Sequence, residues 1–124
     1  MQITEIAFSS YAVTDFPRAR EFYEGVLQLK VTSETNLGEQ GHWIEYDIGP
    51  GTIGIGRAPG WKPSPDGCTV ALEVANFEEA VAALKAANAT IKMGPFETPV
   101  CHMIMVSDPD HNTIILHKRK PGHH

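Results

Sequence analysis

Apolar and polar residues alternate from Ile3 to Val13, the period of a half-buried strand. The pattern then changes to a helical one. Asp15 is placed to cap a helix opening with Phe16-Pro17 and running through Glu24, with Gly25 near its end. Strand patterns follow over residues 30–36, 42–48 and 52–57. The same succession then repeats. Residues 69–74 form a strand pattern, Asn76 a cap, and residues 77–87 an Ala-rich helix with Glu78 and Glu79 in its first turn, where they favour the helix dipole. Strands are predicted again near 90–97, 100–107 and 113–118. Gly49-Pro50-Gly51 and Asp108-Pro109-Asp110-His111-Asn112 read as matching turns, and the Pro- and Gly-dense stretch Ala58–Gly67 as a connector.

An offset of 61 residues superposes the halves without a gap: Val13-Thr14-Asp15-Phe16 falls on Val74-Ala75-Asn76-Phe77, Asp47 on Asp108, and Gly51–Ile55 on Asn112–Leu116. The chain therefore reads as a tandem duplication of a strand-helix-three-strand unit, an α+β arrangement. Module one covers about residues 1–57, the connector 58–67 and module two about 68–118, within a single domain. Neither half of this length buries much surface alone, so the two must pair or find a partner. A cleft between related sheets follows.

Composition narrows the function. Of the 124 residues 42% are hydrophobic and 20% charged, ordinary values for a globular domain. The formal charge of −5 argues against nucleic acid, whose phosphates require clustered Lys and Arg. The one basic run, His117-Lys118-Arg119-Lys120, reads as a solvated tail. No apolar stretch approaches a membrane span, and Met1–Glu5 lacks the features of a signal peptide. Two cysteines, Cys68 and Cys101, make no disulfide framework, which points to a cytoplasmic protein. The terminal His123-His124 pair stands outside the site argument.

Two segments carry a family resemblance. Tyr11-Ala12-Val13-Thr14-Asp15-Phe16-Pro17-Arg18-Ala19-Arg20-Glu21-Phe22-Tyr23-Glu24-Gly25-Val26-Leu27 resembles the first-module signature of the vicinal oxygen chelate superfamily, which includes glyoxalase I, extradiol dioxygenases, fosfomycin resistance proteins and bleomycin-binding proteins. Asp108–Leu116 resembles its closing signature, with His111 where a Gly is usual and Ile115 where a Glu is usual. The resemblance implies two βαβββ modules whose mixed, curved sheets form a partly closed, barrel-like cleft with the helices outside. It also implies a homodimer. Metal-dependent members hold a divalent cation with side chains from the first and last strands of each module, positions that fall here on Phe8, Gly54, Thr69 and Ile115. Three of the four have no coordinating side-chain atom, so neither a metal nor another cofactor is expected. Glyoxalase- and dioxygenase-type reactions would lack their Lewis acid.

Strand alternation then selects the residues that face the cleft. With Phe8 and Thr69 inward, Ser10, Ala71 and Glu73 share that face, and so do Gly54, Gly56, Ile115 and His117 on the last strands. On the third strands the row His42, Ile44, Tyr46, with Met103 and Met105, is assigned to the helix side, leaving Trp43, Glu45, His102, Ile104 and Val106 for the cleft. The predicted ligand-binding set is Phe8, Ser10, Trp43, Glu45, Thr69, Glu73, His102, Ile104, Ile115 and His117. Apolar surface with a few polar anchors suits a small organic ligand. Phe8 and Ile115 serve equally as filling where a metal once sat; Trp43 as wall or dimer contact; the His and Glu residues as solvated or mutually paired groups.

Two functions compete. The first is a metal-independent protein of the bleomycin-resistance type that sequesters a small molecule without altering it. The second is an enzyme, lyase- or dioxygenase-like, with a displaced metal site drawn from Glu45, Glu73, His102 and His117 or with metal-free acid–base residues. A ligandless scaffold or interaction module is the third reading. The missing donors favour the first, with no catalytic residue assigned.

Overall fold

The computed structural model describes residues 1–122. Eight strands and two α-helices divide into two compact units, Met1–Pro63 and a second beginning at Ser64, so the division falls inside the predicted connector. Each unit is a βαβββ module with its own four-stranded mixed sheet.

In the first unit β1 (Ser9–Ala12), β2 (Val31–Asn36), β3 (His42–Ile48) and β4 (Gly51–Arg57) are ordered β1-β4-β3-β2. β1 runs parallel to β4, and the other neighbours are antiparallel. Helix α1 (Phe16–Arg20) starts where expected, because the Asp15 carboxylate accepts the Arg18 N–H at 3.1 Å and Pro17 costs no backbone bond in the first turn. It continues as a π-helical segment over Glu21–Val26. Its apolar face meets one side of the sheet, burying Tyr11, Val13, Phe16, Phe22, Tyr23, Ile44, Tyr46, Ile53 and Ile55. Tyr46 donates its hydroxyl to Glu24 at 2.9 Å, and burial followed by that carboxylate pushes the phenol well above its ordinary pKa.

The first strand is shorter than the alternation predicts. β1 starts at Ser9, opposite Ile53, and β4 ends two residues further back, at Gly51. Residues 3–6 therefore lie before the level at which β4 begins and have no ladder partner, and Ile3 and Ile6 are exposed.

The second unit repeats the plan with β5 (Val70–Glu73), α2 (Phe77–Ala86), β6 (Thr90–Glu97), β7 (Cys101–Ser107) and β8 (Thr113–Arg119), ordered β5-β8-β7-β6. Asn76 caps α2 by accepting the Glu79 N–H at 3.0 Å. Leu84, Ile104, Val106, Ile114 and Leu116 are buried.

The repeat contains one break that the sequence conceals. Glu45 pairs with Gly54 and Met105 with Ile115, so β4 and β8 are 61 residues apart whereas β3 and β7 are 60 apart. The extra residue lies in the second turn: four residues separate the pair Asp47/Thr52, and five separate Ser107/Thr113. Asp108 organises the longer turn, since its carboxylate accepts the N–H groups of Asp110 and Asn112, each at 2.9 Å, and the Asn112 side-chain amide at 2.8 Å. His111 takes the left-handed conformation, φ 70°, where Gly is usual. Because side chains alternate with period two, one residue reverses every assignment on β7. His102, Ile104 and Val106 belong to the helix side, and Met103 and Met105 to the opposite face. The expectation that His102 and Ile104 face the cleft is thereby corrected: Ile104 has 0% exposure, and His102 packs against Phe77, the first residue of α2.

Candidate functional site

The face of each sheet turned away from its helix carries the remaining predicted residues. In the first unit this face is aromatic. Gly54 and Gly56 lie directly beside Glu45 and Trp43 in the ladder, and they form a floor with no side chains. The Trp43 indole lies on that floor so closely that a Cβ at Gly54 would be 2.2 Å from its nearest ring carbon, and one at Gly56 2.7 Å. Its Nε1–H donates to Glu45 Oε2 at 2.8 Å, which fixes the ring. Phe8 meets the indole edge-on at 5.5 Å between ring centroids and 72° between planes.

Trp61 joins them from the connector. Pro59 and Gly60 (φ 79°) occupy the central positions of a turn closed by the Trp61 N–H to the Ala58 carbonyl at 3.1 Å, the residues a type II turn selects. That turn brings the indole back over Gly56, 6.2 Å from the Trp43 ring and 28° from parallel. Trp61 belongs to the stretch that the sequence marks as a connector. The Pro-Gly pair ahead of it was the available sign that the chain doubles back. Phe8 and Trp61 remain 51% and 38% exposed, and Ser10 is exposed beside Gly54.

The corresponding face of the second unit is mixed. Ala71 pairs with Ile115 and Glu73 with His117, and Met105 and Met103 sit across from the same two β8 residues. His117 Nδ1 lies 2.5 Å from Glu73 Oε1, while Glu73 Oε2 accepts the Arg119 backbone N–H at 2.8 Å. Partial burial works against ionisation of Glu73, but the Arg119 N–H and the His117 ring outweigh it and hold the carboxyl below the usual range. Thr69 is exposed just before β5.

Of the four positions at which the resemblance puts metal donors, three offer none and the fourth, Thr69, only a hydroxyl. Phe8 and Ile115 are apolar, and position 54 is a glycine whose side-chain space is taken by Trp43. Among the described residues no three His, Cys, Asp or Glu side chains are grouped to hold a metal ion. The displaced donor set also comes apart, because His102 lies on the helix side of β7 while Glu73 and His117 lie on the other face.

Duplicated βαβββ modules and the two matched segments define a class, and the comparisons with known proteins name it. The family model for the Glyoxalase/Bleomycin resistance protein/Dioxygenase superfamily matches residues 3–116, and the chain belongs to that superfamily. Among solved structures it is similar to TnmS3, an antibiotic binding protein from Streptomyces sp. CB03234, with 22% identity, a TM-score of 0.80 and coverage of 97% of this chain and 99% of that one. A glyoxylase/bleomycin resistance protein/dioxygenase domain from Frankia sp. EAN1pec aligns at 16% identity and TM-score 0.80 over 99% and 97% of the two chains. The trypanothione-dependent glyoxalase I of Leishmania major aligns at 21% identity and TM-score 0.75 over 92% and 86%. At these identities the likeness is one of fold. No curated protein sequence matches the chain. No helix among the described residues is long and apolar enough to cross a membrane.

Proposed function

We propose that this chain is a metal-independent binding protein that sequesters a small organic molecule without altering it. The observation that carries this reading is the indole of Trp43 seated on Gly54, which fills the space a donor side chain would need. An aromatic surface built from Phe8, Trp43 and Trp61 takes its place. Burying a flat ligand against such rings is favourable without any bond being made or broken. The similarity in fold to an antibiotic binding protein supports the same reading. Phe8, Ser10, Trp43 and Glu45 are the proposed ligand contacts on the first unit's sheet, and Thr69, Glu73, Ile115 and His117 those on the second unit's own sheet. Two free cysteines suit the reducing cytoplasm, and the chain acts there as a homodimer.

The test pairs elemental analysis with ligand recovery. Protein purified without added metal retains no stoichiometric zinc, nickel, manganese or iron, and a bound compound is extracted with its mass unchanged. A stoichiometric metal whose removal by chelator abolishes an activity would overturn the reading. A single species at monomer size by sedimentation at micromolar concentration would overturn the dimer.

One observation favours a second reading, an acid–base enzyme of the same superfamily. The Glu73 carboxylate grips the Nδ1 edge of His117, the arrangement that orients an imidazole and leaves Nε2 to exchange a proton. Turnover of a recovered ligand that disappears in His117→Gln, with binding intact, would establish it.

A further inference from the structure

The open face of the first sheet has a charge pattern as distinctive as its aromatic rings. Glu45 and Asp47 share that face with Trp43, two residues apart along β3. Among the described residues neither carboxylate forms an ion pair. Glu45 Oε2 accepts the Trp43 indole N–H, and Asp47 Oδ1 accepts the Thr52 hydroxyl at 2.8 Å. The register puts Ser10, Ala12, Ser33, Thr35 and Thr52 on the same rows, all uncharged. Among the described residues paired in this sheet, no Lys, Arg or His falls on these rows. By contrast, the glutamates of the opposite side are paired: Arg20 bridges Glu24 and Glu34, and His42 reaches Glu34 at 2.8 Å. The second sheet likewise pairs Glu73 with His117.

Carboxylates without counter-charges therefore sit where the aromatic surface is exposed. The ring faces of tryptophan and phenylalanine carry negative potential and attract cations. A flat ring system covering Phe8 and Trp61 gains from stacking, and a positive charge on it gains again from the indole faces and from Glu45, whose Oε1 has no hydrogen bond. An anion of the same shape meets two carboxylates that no cation on the paired strands offsets.

We infer that the ligand bound on the Phe8–Trp43–Trp61 surface is a planar aromatic organic cation, held by stacking on the indoles and by a charge-assisted hydrogen bond from its N–H to Glu45. This inference rests on the sequestration reading and adds to it the charge and shape of the ligand.

Two commercially available planar tricyclic probes test it, 9-aminoacridine as the cation and anthraquinone-2-sulfonate as the anion, titrated against the full chain by quenching of tryptophan emission. The cation is expected to bind at least about ten-fold more tightly than the anion, with a preference that shrinks as salt is raised. Glu45→Gln, which keeps an oxygen for the Trp43 N–H, should lose about that factor for the cation and nothing for the anion. Circular dichroism confirms that the variant is folded. Equal binding of both probes, or tighter binding of the anion, overturns the charge assignment while leaving sequestration by stacking in place. If neither planar probe binds, the aromatic surface is not the ligand site and both readings fall. The wild-type comparison alone decides the question if Glu45→Gln does not fold.

Discussion

The imidazole of His42 lies flat on the ring of Phe16, 4.0 Å between centroids and 16° between planes. The second unit repeats the contact with His102 and Phe77, 5.5 Å and 34° apart. In each case the phenylalanine opens the helix after its Asp or Asn cap and the histidine lies at the start of the third strand. The two histidines are 60 residues apart and the two phenylalanines 61, so the second unit is one residue shorter between helix and third strand, which the longer turn after β7 makes up. His102 thus anchors a helix to a sheet.

If β7 is registered as described, Ile104 is a core residue. Ile104→Ala should cost about 2–5 kcal/mol, comparable to Ile44→Ala in the other unit, because both remove a side chain with 0% exposure. Met105→Ala, on the half-exposed opposite face, should cost clearly less. Urea denaturation of the three variants checks the order; a costlier Met105→Ala would mean that the register is wrong.

Adding a methyl group at position 54 drives a Cβ into the Trp43 indole at 2.2 Å. Gly54→Ala should destabilise by about 1–3 kcal/mol and shift tryptophan emission as the ring is displaced. With Trp43→Ala already present, the same change should cost much less, a non-additivity readable in a double-mutant cycle. Equal costs in both backgrounds would show that the ring does not sit on the glycine.

The Asp108 carboxylate is buried and accepts three N–H groups within its own turn. Asp108→Ala leaves those donors short of partners and should lower stability by about 2–4 kcal/mol. Thermal unfolding measures the loss, and a shift of the midpoint within error of wild type would contradict the assigned network.

Glu73 is held below the ordinary carboxyl range in the folded chain, so its contribution to stability is present above the unfolded value and disappears as pH falls through the folded one. Wild type should therefore exceed Glu73→Gln in stability near neutral pH, and the gap should shrink as pH falls below the ordinary carboxyl value of about 4.3 and close once pH passes the lower folded one. Denaturant midpoints recorded between neutral and acid pH read the difference. A gap that persists undiminished in acid would assign the effect to packing.

Much of this architecture can be read from the residues themselves. Two capped helices, the strands β2 to β8 and the connector follow from periodicity and turn chemistry, because each depends on neighbours a few positions away. The facing of Trp43 and Glu45 was legible for the same reason. The facing of β7 was not. His102, Met103, Ile104 and Met105 are apolar or ambivalent on both rows, so hydrophobicity alone could not choose, and the ungapped alignment of Asp47 with Asp108 supplied a false register. The start of β1 was hidden for a different reason: Ile3 to Phe8 alternates acceptably, but alternation does not tell where the ladder to β4 begins, which is at Ser9 and Ile53. The approach of Trp61 to Gly56 links residues whose connecting turn had to be known first.

The close seat of an indole on bare backbone also bears on how such a chain could change its trade. Any single codon change that brought a histidine or glutamate to position 54 would strike the tryptophan ring before its donor atom could meet an ion. Shrinking Trp43 first would strip the aromatic surface while giving nothing in return. Metal chemistry at that position thus needs two coordinated changes, at Gly54 and at Trp43 together.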